Sequence, residues 1–124
     1  MTINDYLDME ALDNILEQWA AATHMIAVVL DDEGNFLSNK LGFSRNNVEA
    51  FSESIEVDDV EVATVVGGPL DEDTDEEVVE AAAAILVAAV QNLLEAGYHK
   101  KKYEEAIASF NEEIDGAAAL IKEL

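Results

Sequence analysis

Apolar residues recur every three to four positions along the C-terminal part of the chain, from Thr74 to Leu124. Toward the end of this stretch the steps alternate between four and three residues, which is the spacing of a and d positions in a heptad repeat. The pattern predicts a long helix whose apolar stripe pairs with the same helix of a second copy. The expected dimer interface consists of Tyr103, Ile107, Phe110, Ile114, Ala117, Ile121 and Leu124.

The start of this helix is predicted at Thr74, because Glu77 follows three residues later and the two form a capping-box motif. The apolar stripe extends backward toward Thr74, and Lys100 interrupts it close to Gly97. The stretch therefore corresponds to one helix or to two nearly fused helices. The repeat is still running at Leu124, so we expect a fragment of a longer protein with a downstream signalling domain.

The N-terminal half of the chain shows helical and strand-like patterns in turn. Residues 5–23 carry apolar side chains at helical spacing and predict an amphipathic helix. Residues 25–30 form a continuous apolar run, which is typical of a strand buried on both faces. Residues 31–35 favour a turn, and residues 36–41 alternate apolar and polar side chains as the returning strand of a hairpin.

The middle of the chain predicts two further elements. Residues 44–51 are predicted as a short helix capped by a serine. Residues 54–57 and 60–66 are predicted as a second hairpin, with its turn at Asp58 and Asp59.

This order of elements predicts an α+β fold in which helices pack against an antiparallel sheet. The same order occurs in PAS-like and GAF-like sensory modules, which is an analogy at the level of the fold. We expect a PAS-like sensory core with its N-terminal helix over residues 1–70. Residues 71–124 are then a long output helix that packs on the core and continues as a coiled coil.

Charge and composition exclude several classes of partner. The 124 residues include 28 acidic and 6 basic side chains, so the formal charge is −22. Such a surface repels nucleic acid and anionic membranes. The absence of cysteine excludes disulfides, and the acidic N-terminal segment is unlike a signal peptide. The longest apolar run, Ala81 to Val90, is too short to cross a bilayer, so we expect a soluble, cytoplasmic protein.

Two stretches of the chain follow a known family pattern. Residues 16–45 join a helix, an apolar strand and an Asp-x-x-Gly-Asn motif that begins at Asp31. Residues 55–94 join a strand that ends in the glycine pair 67–68 to an alanine-rich helix. With the heptad tail, they resemble the PocR-type sensory domain, a PAS-like module of bacterial signalling proteins. His24 stands where that family has glycine, and the family's usual cysteines are absent here.

The resemblance also suggests what the chain does. Known or proposed ligands of the family are small organic molecules. The tail is similar to the linker that leads into the signalling domain of cytoplasmic methyl-accepting chemotaxis proteins, although histidine kinases and diguanylate cyclases use similar linkers.

A small apolar pocket between helix and sheet is the candidate ligand site. The alternative is an ordinary filled core. The residues expected to line such a pocket are Trp19, Met25, Phe36, Leu41, Phe43 and Phe51.

No constellation for catalysis or metal binding emerges from the sequence. His24 and His99 are far apart, and a metal site needs several converging ligands. The acidic run that contains Asp71 imitates the start of a calcium loop, but Glu76 and Ala82 stand where glycine and a bidentate glutamate are needed. These acids are explained by helix capping.

The remaining motifs are no more specific. Gly67-Gly68 lacks the further glycines and basic residues of a phosphate loop and is expected to end a strand. No serine has an evident histidine base. We therefore expect no enzyme activity, no metal and no cofactor.

We expect a sensor or signal-input domain that passes a conformational bias through a dimeric helix. The alternative is a non-enzymatic dimerisation or scaffold module with a filled core and no ligand. The expected partners are a second copy and a small organic ligand. Lys100, Lys101 and Lys102 either dock on the acidic domain surface or form a solvated collar.

Overall fold

A computed structural model describes residues 2–44 and 46–123, with side chains of the last helix described as far as Glu112. The predicted α+β class, with one antiparallel sheet, an N-terminal helix and a long C-terminal helix, is confirmed. The elements in order are a 3₁₀ turn Ile3–Asp5, α1 Met9–Thr23, β1 Met25–Asp31, β2 Phe36–Ser38, β3 Phe51–Val57, β4 Val60–Pro69 and α2 Glu76–Glu123.

The four strands form one sheet in the order β2-β1-β4-β3, and every neighbouring pair is antiparallel. The register places Val28 of β1 opposite Val66 of β4, and Ser54 of β3 opposite Thr64 of β4. β3 therefore forms one edge of the described sheet. The turn predicted at Asp58 and Asp59 joins β3 to β4.

The strand predicted to be buried on both faces is confirmed as β1, because Met25 to Val29 are all buried. Met25, Ala27 and Val29 belong to the core that the sheet forms with both helices. Side chains alternate along a strand, so Val28 lies on the opposite face. The segment over residues 39–44 and 46–50 covers part of that face.

Both helices pack on the same face of the sheet. Leu12, Leu16 and Trp19 are the buried residues of α1. They belong to one core with a stripe of α2 residues at helical spacing. The buried members of that stripe are Val79, Ala82, Leu86, Val90 and Leu94.

The starts of both helices differ from the prediction. α1 begins at Met9 instead of residue 5, because Asp8 caps it by accepting from the backbone N–H of Ala11 at 3.0 Å. α2 begins at Glu76, and the carbonyl oxygen of Asp75 accepts its first backbone hydrogen bond. The predicted capping box at Thr74 is wrong, because the Thr74 hydroxyl donates to a carbonyl oxygen before the helix.

The predicted short helix over residues 44–51 is also wrong. Asparagine side chains hold the start of this segment and the residues just before it in turns, and such side chains compete with helical hydrogen bonds. Asn39 accepts from the Phe43 N–H at 2.7 Å and donates back to its carbonyl oxygen at 3.0 Å. Asn47 accepts from the Ser44 N–H at 2.9 Å. The residues from Phe51 onward belong to β3.

The two glycines expected to end a strand lie within β4, which ends at Pro69. A Cβ on Gly67 would lie 2.5 Å from the carbonyl oxygen of Ile26. A Cβ on Gly68 would lie 2.0 Å from the carbonyl oxygen of Val48, which belongs to the covering segment. Both glycines are therefore required by close backbone packing on the sheet.

Helix α2 runs without interruption through Gly97 and has 48 residues. The sequence run Ala81 to Val90 is by itself too short to cross a bilayer, but the helix over Glu76–Glu112 contains an 18-residue window that is long and apolar enough by length and composition, and 33% of this window is buried inside the fold. The buried share is the face that packs on the sheet.

Candidate functional site

The apolar stripe of α2 has two environments. Val79, Ala82 and Leu86 are buried against the sheet. Farther along the same stripe, Tyr103 is 68% exposed and Phe110 is 58% exposed. The stripe therefore serves the core in its first half and lies open to solvent in its second half.

The structure bears on only part of the predicted dimer interface. Tyr103, Ile107 and Phe110 are exposed on the described part of the helix. Ile114, Ala117 and Ile121 lie where side chains are not described, and Leu124 lies outside the described residues. The exposed members do not fold back onto the sheet domain.

The N-terminal turn packs closely on α2 where the helix leaves the sheet. A Cβ on Gly97 would lie 2.3 Å from the carbonyl oxygen of Tyr6, so glycine permits this approach. The rings of Tyr6 and Tyr98 meet edge to face, with centroids 5.5 Å apart. Burial in this contact raises the pKa of Tyr6.

A second contact ties α2 to the β3–β4 turn. The Tyr98 hydroxyl donates to Asp58 Oδ2 at 2.9 Å, and Lys102 Nζ lies 3.8 Å from the same oxygen. Lys102 Nζ also lies 5.2 Å from the Tyr98 ring centroid. Its contact with Tyr98, and then with the Asp58 carboxylate, raises the pKa of Lys102. One of the three consecutive lysines thus docks on its own domain.

Four of the six residues predicted to line a pocket belong to the helix-covered core or pack against it. Trp19 is 6% exposed and Met25 is 1% exposed. The Phe51 ring meets the Trp19 ring edge to face, with centroids 6.1 Å apart. Leu41 is partly buried against the core. The space between helices and sheet at Trp19 and Met25 is therefore filled by packed side chains.

The other two predicted residues, Phe36 and Phe43, line a cleft of about 960 Å³ on the opposite face of the sheet. The six residues thus do not surround one pocket. The lining of this cleft, which we call the open-face cleft, consists of Val28, Leu30, Asp31, Asp32, Gly34, Phe36, Phe43, Ser44, Asn47, Glu49, Ser52, Thr64 and Val66.

The polar lining of the open-face cleft was not predicted from the sequence. Asp31 and Asp32 come from the end of β1 and its turn, and Glu49 comes from the covering segment. Ser52 and Thr64 come from β3 and β4. The sequence signal for this lining was the alternation of side chains along β1 and β4. It places Thr64 on the same face of the sheet as Val28 once the strand register is known.

A second cleft, of about 970 Å³, lies between edge strand β3 and helix α2. Phe51, Val79 and Val87 give it an apolar lining, and Glu53 and Glu80 lie at its rim. Ser52 lines this cleft as well as the open-face cleft. β3 therefore separates the two clefts.

The remaining candidate groups form no reaction centre within the part of the chain that the structure describes. His24 Nε2 lies 3.4 Å from Asp71 Oδ2, and both side chains are largely exposed. His99 lies against the Tyr98 ring, far along α2. No group of three or more metal-ligating side chains is found among residues 2–44 and 46–112, whose side chains the structure describes.

Comparison with known proteins gives no relatives. No family model matches the sequence, and neither the curated proteins nor the solved structures include a match.

Proposed function

We propose that this chain is a signal-input domain whose sheet core biases the packing of a dimeric output helix. The observation that supports it most directly is the continuity of α2. One helix of 48 residues carries the core stripe at Leu86 and the exposed apolar stripe at Ile107.

A continuous helix couples these two regions mechanically. At about 1.5 Å per residue, the segment from Lys102 to Glu123 reaches roughly 30 Å beyond its last contact with the sheet domain. A rotation or small slide of α2 on the sheet moves the exposed stripe with it. Contacts at Tyr6 and Asp58 hold the helix at the point of exit, so the sheet domain fixes its orientation there.

The exposed stripe suits pairing with a second copy. In the heptad register, Ile107 falls at an a position and Tyr103 and Phe110 fall at d positions. Glu105 and Glu112 then fall at the outermost position of the heptad, where negative charge stays in solvent. Pairing covers apolar side chains that are otherwise exposed.

The bacterial setting, the cytoplasmic location and a downstream signalling domain are also part of this proposal. They are supported by the PocR-like motifs and by the resemblance of the tail to chemoreceptor linkers. A ligand that binds the sheet domain shifts the helix only if it binds the two packing arrangements with different affinity.

The oligomeric state tests the proposal. We expect the parent chain to be a dimer by size-exclusion chromatography with light scattering. Ile107→Asp should be a monomer, and its far-ultraviolet circular dichroism should show that the sheet domain is still folded. Ser109→Asp is the matched control, because it adds the same charge two residues away at an outward position of the heptad. It should remain a dimer.

A parent chain that is monomeric at high micromolar concentration would contradict the proposal. So would an Ile107→Asp variant that dimerises as well as Ser109→Asp, because the stripe would then not form the interface.

The second candidate is a scaffold module that dimerises without binding a ligand. The filled core around Trp19 and Met25 favours it, since no ligand fits there without repacking. A ligand at 100 times its dissociation constant would stabilise a sensor by about 2.7 kcal/mol. A dimer that gains no thermal stability from any small molecule would be the scaffold.

A further inference from the structure

We infer that the open-face cleft binds a small organic cation with an apolar body. The binding inference stands on the cleft itself, and only its consequence for signalling rests on the proposed function. The observations that carry it are an apolar floor, carboxylates at the rim and two aromatic rings, all lining one volume of about 960 Å³.

The floor of the cleft is a hydrocarbon surface. Val28 is 1% exposed and Val66 is 7% exposed, and the two stand opposite each other in the β1–β4 register. These two valines form the packed base, and half-buried Leu30 and exposed Phe36 supply the apolar surface that a ligand reaches. The volume lies in the range of roughly 300–1,000 Å³ that holds small organic ligands.

The rim carries negative charge from three side chains, Asp31, Asp32 and Glu49. The described lining residues include no lysine, arginine or histidine, and Arg45 lies outside the described residues. The Asp31 carboxylate accepts from the N–H groups of Asn35 at 2.8 Å and Glu33 at 2.9 Å. These bonds favour its ionised form. Together with Asp32 and Glu49 it leaves the described lining anionic, so a cation is the complementary ligand.

Two phenyl rings add a contact that suits an ammonium group. Phe36 is 62% exposed, and Phe43 lines the same cleft from the covering segment. A cation over such a ring gains about 0.5–1 kcal/mol at an exposed site. The paired hydrogen bonds between Asn39 and the Phe43 backbone hold this residue in place, which lowers the entropic cost of binding.

Other ligand classes fit this lining less well. An anion would meet Asp32 and Glu49 without a described cationic partner. A bare metal ion gains nothing from Val28 and Phe43, and among the described residues no cluster of three or more ligating groups is present. An amphipathic cation uses both the charged rim and the apolar floor.

The position of β3 gives such a ligand a route to the output helix. Ser52 lines the open-face cleft and also the cleft beside α2. Its neighbour Phe51 packs against Trp19, and Gln91 of α2 donates to the Glu56 carbonyl oxygen of β3. A ligand that displaces β3 therefore acts on α2 directly.

Binding is tested by titrating the ¹⁵N-labelled chain with three probes of equal length: n-hexylammonium, n-hexanol and hexanoate. We expect hexylammonium to bind saturably and at least about fivefold more tightly than hexanol, with hexanoate weakest. The shifted amide signals should belong to the cleft residues around Leu30, Phe43 and Thr64.

Two sets of variants separate a built site from general attraction to an acidic protein. Asp32→Asn with Glu49→Gln should weaken hexylammonium binding by about fivefold. Asp73→Asn with Glu77→Gln removes the same charge from exposed positions outside both clefts and should leave the affinity unchanged. Phe43→Leu should weaken hexylammonium while leaving hexanol binding nearly unchanged, because it removes the ring and keeps the apolar volume.

Equal affinity for the three probes would overturn the inference, and so would equal losses in the two charge variants. Repeating the titration with Ile107→Asp separates this inference from the proposed function. Suppose that the parent chain forms no dimer but that the parent and Ile107→Asp both bind hexylammonium. This result would refute the proposed dimeric output helix and support the cation site. A dimer without selective hexylammonium binding would refute the site alone.

Discussion

The indole Nε1 of Trp19 donates a hydrogen bond of 2.8 Å to the backbone carbonyl oxygen of Ala82. This buried bond joins α1 to the first half of α2, across 63 residues of sequence. The same ring meets Phe51 of β3 edge to face. Trp19 therefore contacts the edge strand and the output helix at once, which makes it the central packing residue of the proposed signal path.

Replacing Trp19 by alanine should lower the free energy of unfolding by about 3–5 kcal/mol, because a buried aromatic ring is lost. Trp19→Phe keeps much of the ring and loses the donor, so we expect a smaller loss of about 1–3 kcal/mol. Urea unfolding followed by circular dichroism measures both. Met9→Ala on the exposed start of the same helix is the control, and a loss there equal to that of Trp19→Phe would contradict the assignment.

Gly97 occupies a helical position where alanine is normally the better residue by about 1 kcal/mol. Here a Cβ would lie 2.3 Å from the Tyr6 carbonyl oxygen, which is backbone and cannot move by a side-chain rotation. Helix propensity therefore favours alanine at position 97, whereas the close contact with the N-terminal turn favours glycine.

We expect Gly97→Ala to destabilise the full chain by about 1–3 kcal/mol, as overpacking does. In a chain that lacks residues 2–7, the same substitution should become neutral or stabilising by up to about 1 kcal/mol, because only helix propensity remains. Denaturant unfolding of the four proteins gives the two differences. The same sign in both backgrounds would show that Tyr6 does not restrict this position.

The elements that periodicity predicted correctly are those whose burial leaves little choice. The apolar run at Met25 to Val29 has no polar face and forms one of the two inner strands of the sheet. The hairpin at Asp58 and Asp59 follows from a polar pair between two apolar runs. The stripe through Leu86 is the face of α2 that packs on the sheet.

The predictions failed where side chains bond to the backbone or where a site depends on strand register. Asn47 turns the start of the segment that a helical pattern had suggested, and Asn39 holds Phe43 just before it. The partners of these two side chains cannot be read from spacing. The open-face cleft joins Asp32, Glu49 and Thr64 from separate parts of the chain. Their meeting depends on how β1 pairs with β4, which the sequence pattern does not specify.

The β3–β4 turn holds two aspartates at positive φ, 55° at Asp58 and 64° at Asp59. Both central residues of a type I′ turn require a positive φ. Glycine adopts a positive φ without the steric cost of a Cβ. We expect Asp59→Gly to stabilise the chain by about 0.5–1 kcal/mol. Thermal and urea unfolding measure the change.

Asp58→Gly is the matched control within the same turn. It relieves the same backbone conformation, but it also removes the acceptor of the Tyr98 hydroxyl and the partner of Lys102. Its gain should be smaller than that of Asp59→Gly or negative. Equal gains from both substitutions would mean that the contact between this turn and α2 contributes nothing to stability.

Asp31 gives the fold a defined dependence on acidity. Its pKa lies below the ordinary value of 3.8, because the backbone N–H of Asn35, and after it that of Glu33, donates to the carboxylate. A lowered pKa in the folded state means that Asp31 contributes stability above its unfolded pKa. That contribution is lost as the pH falls through the folded value.

The difference in unfolding free energy between the parent chain and Asp31→Asn should therefore be constant above about pH 5 and shrink below about pH 4. Urea unfolding at a series of pH values measures it, and the ¹³C signal of the Asp31 carboxyl group reports its pKa directly. A carboxyl signal that titrates at or above 3.8 would contradict the hydrogen bonds assigned to this turn.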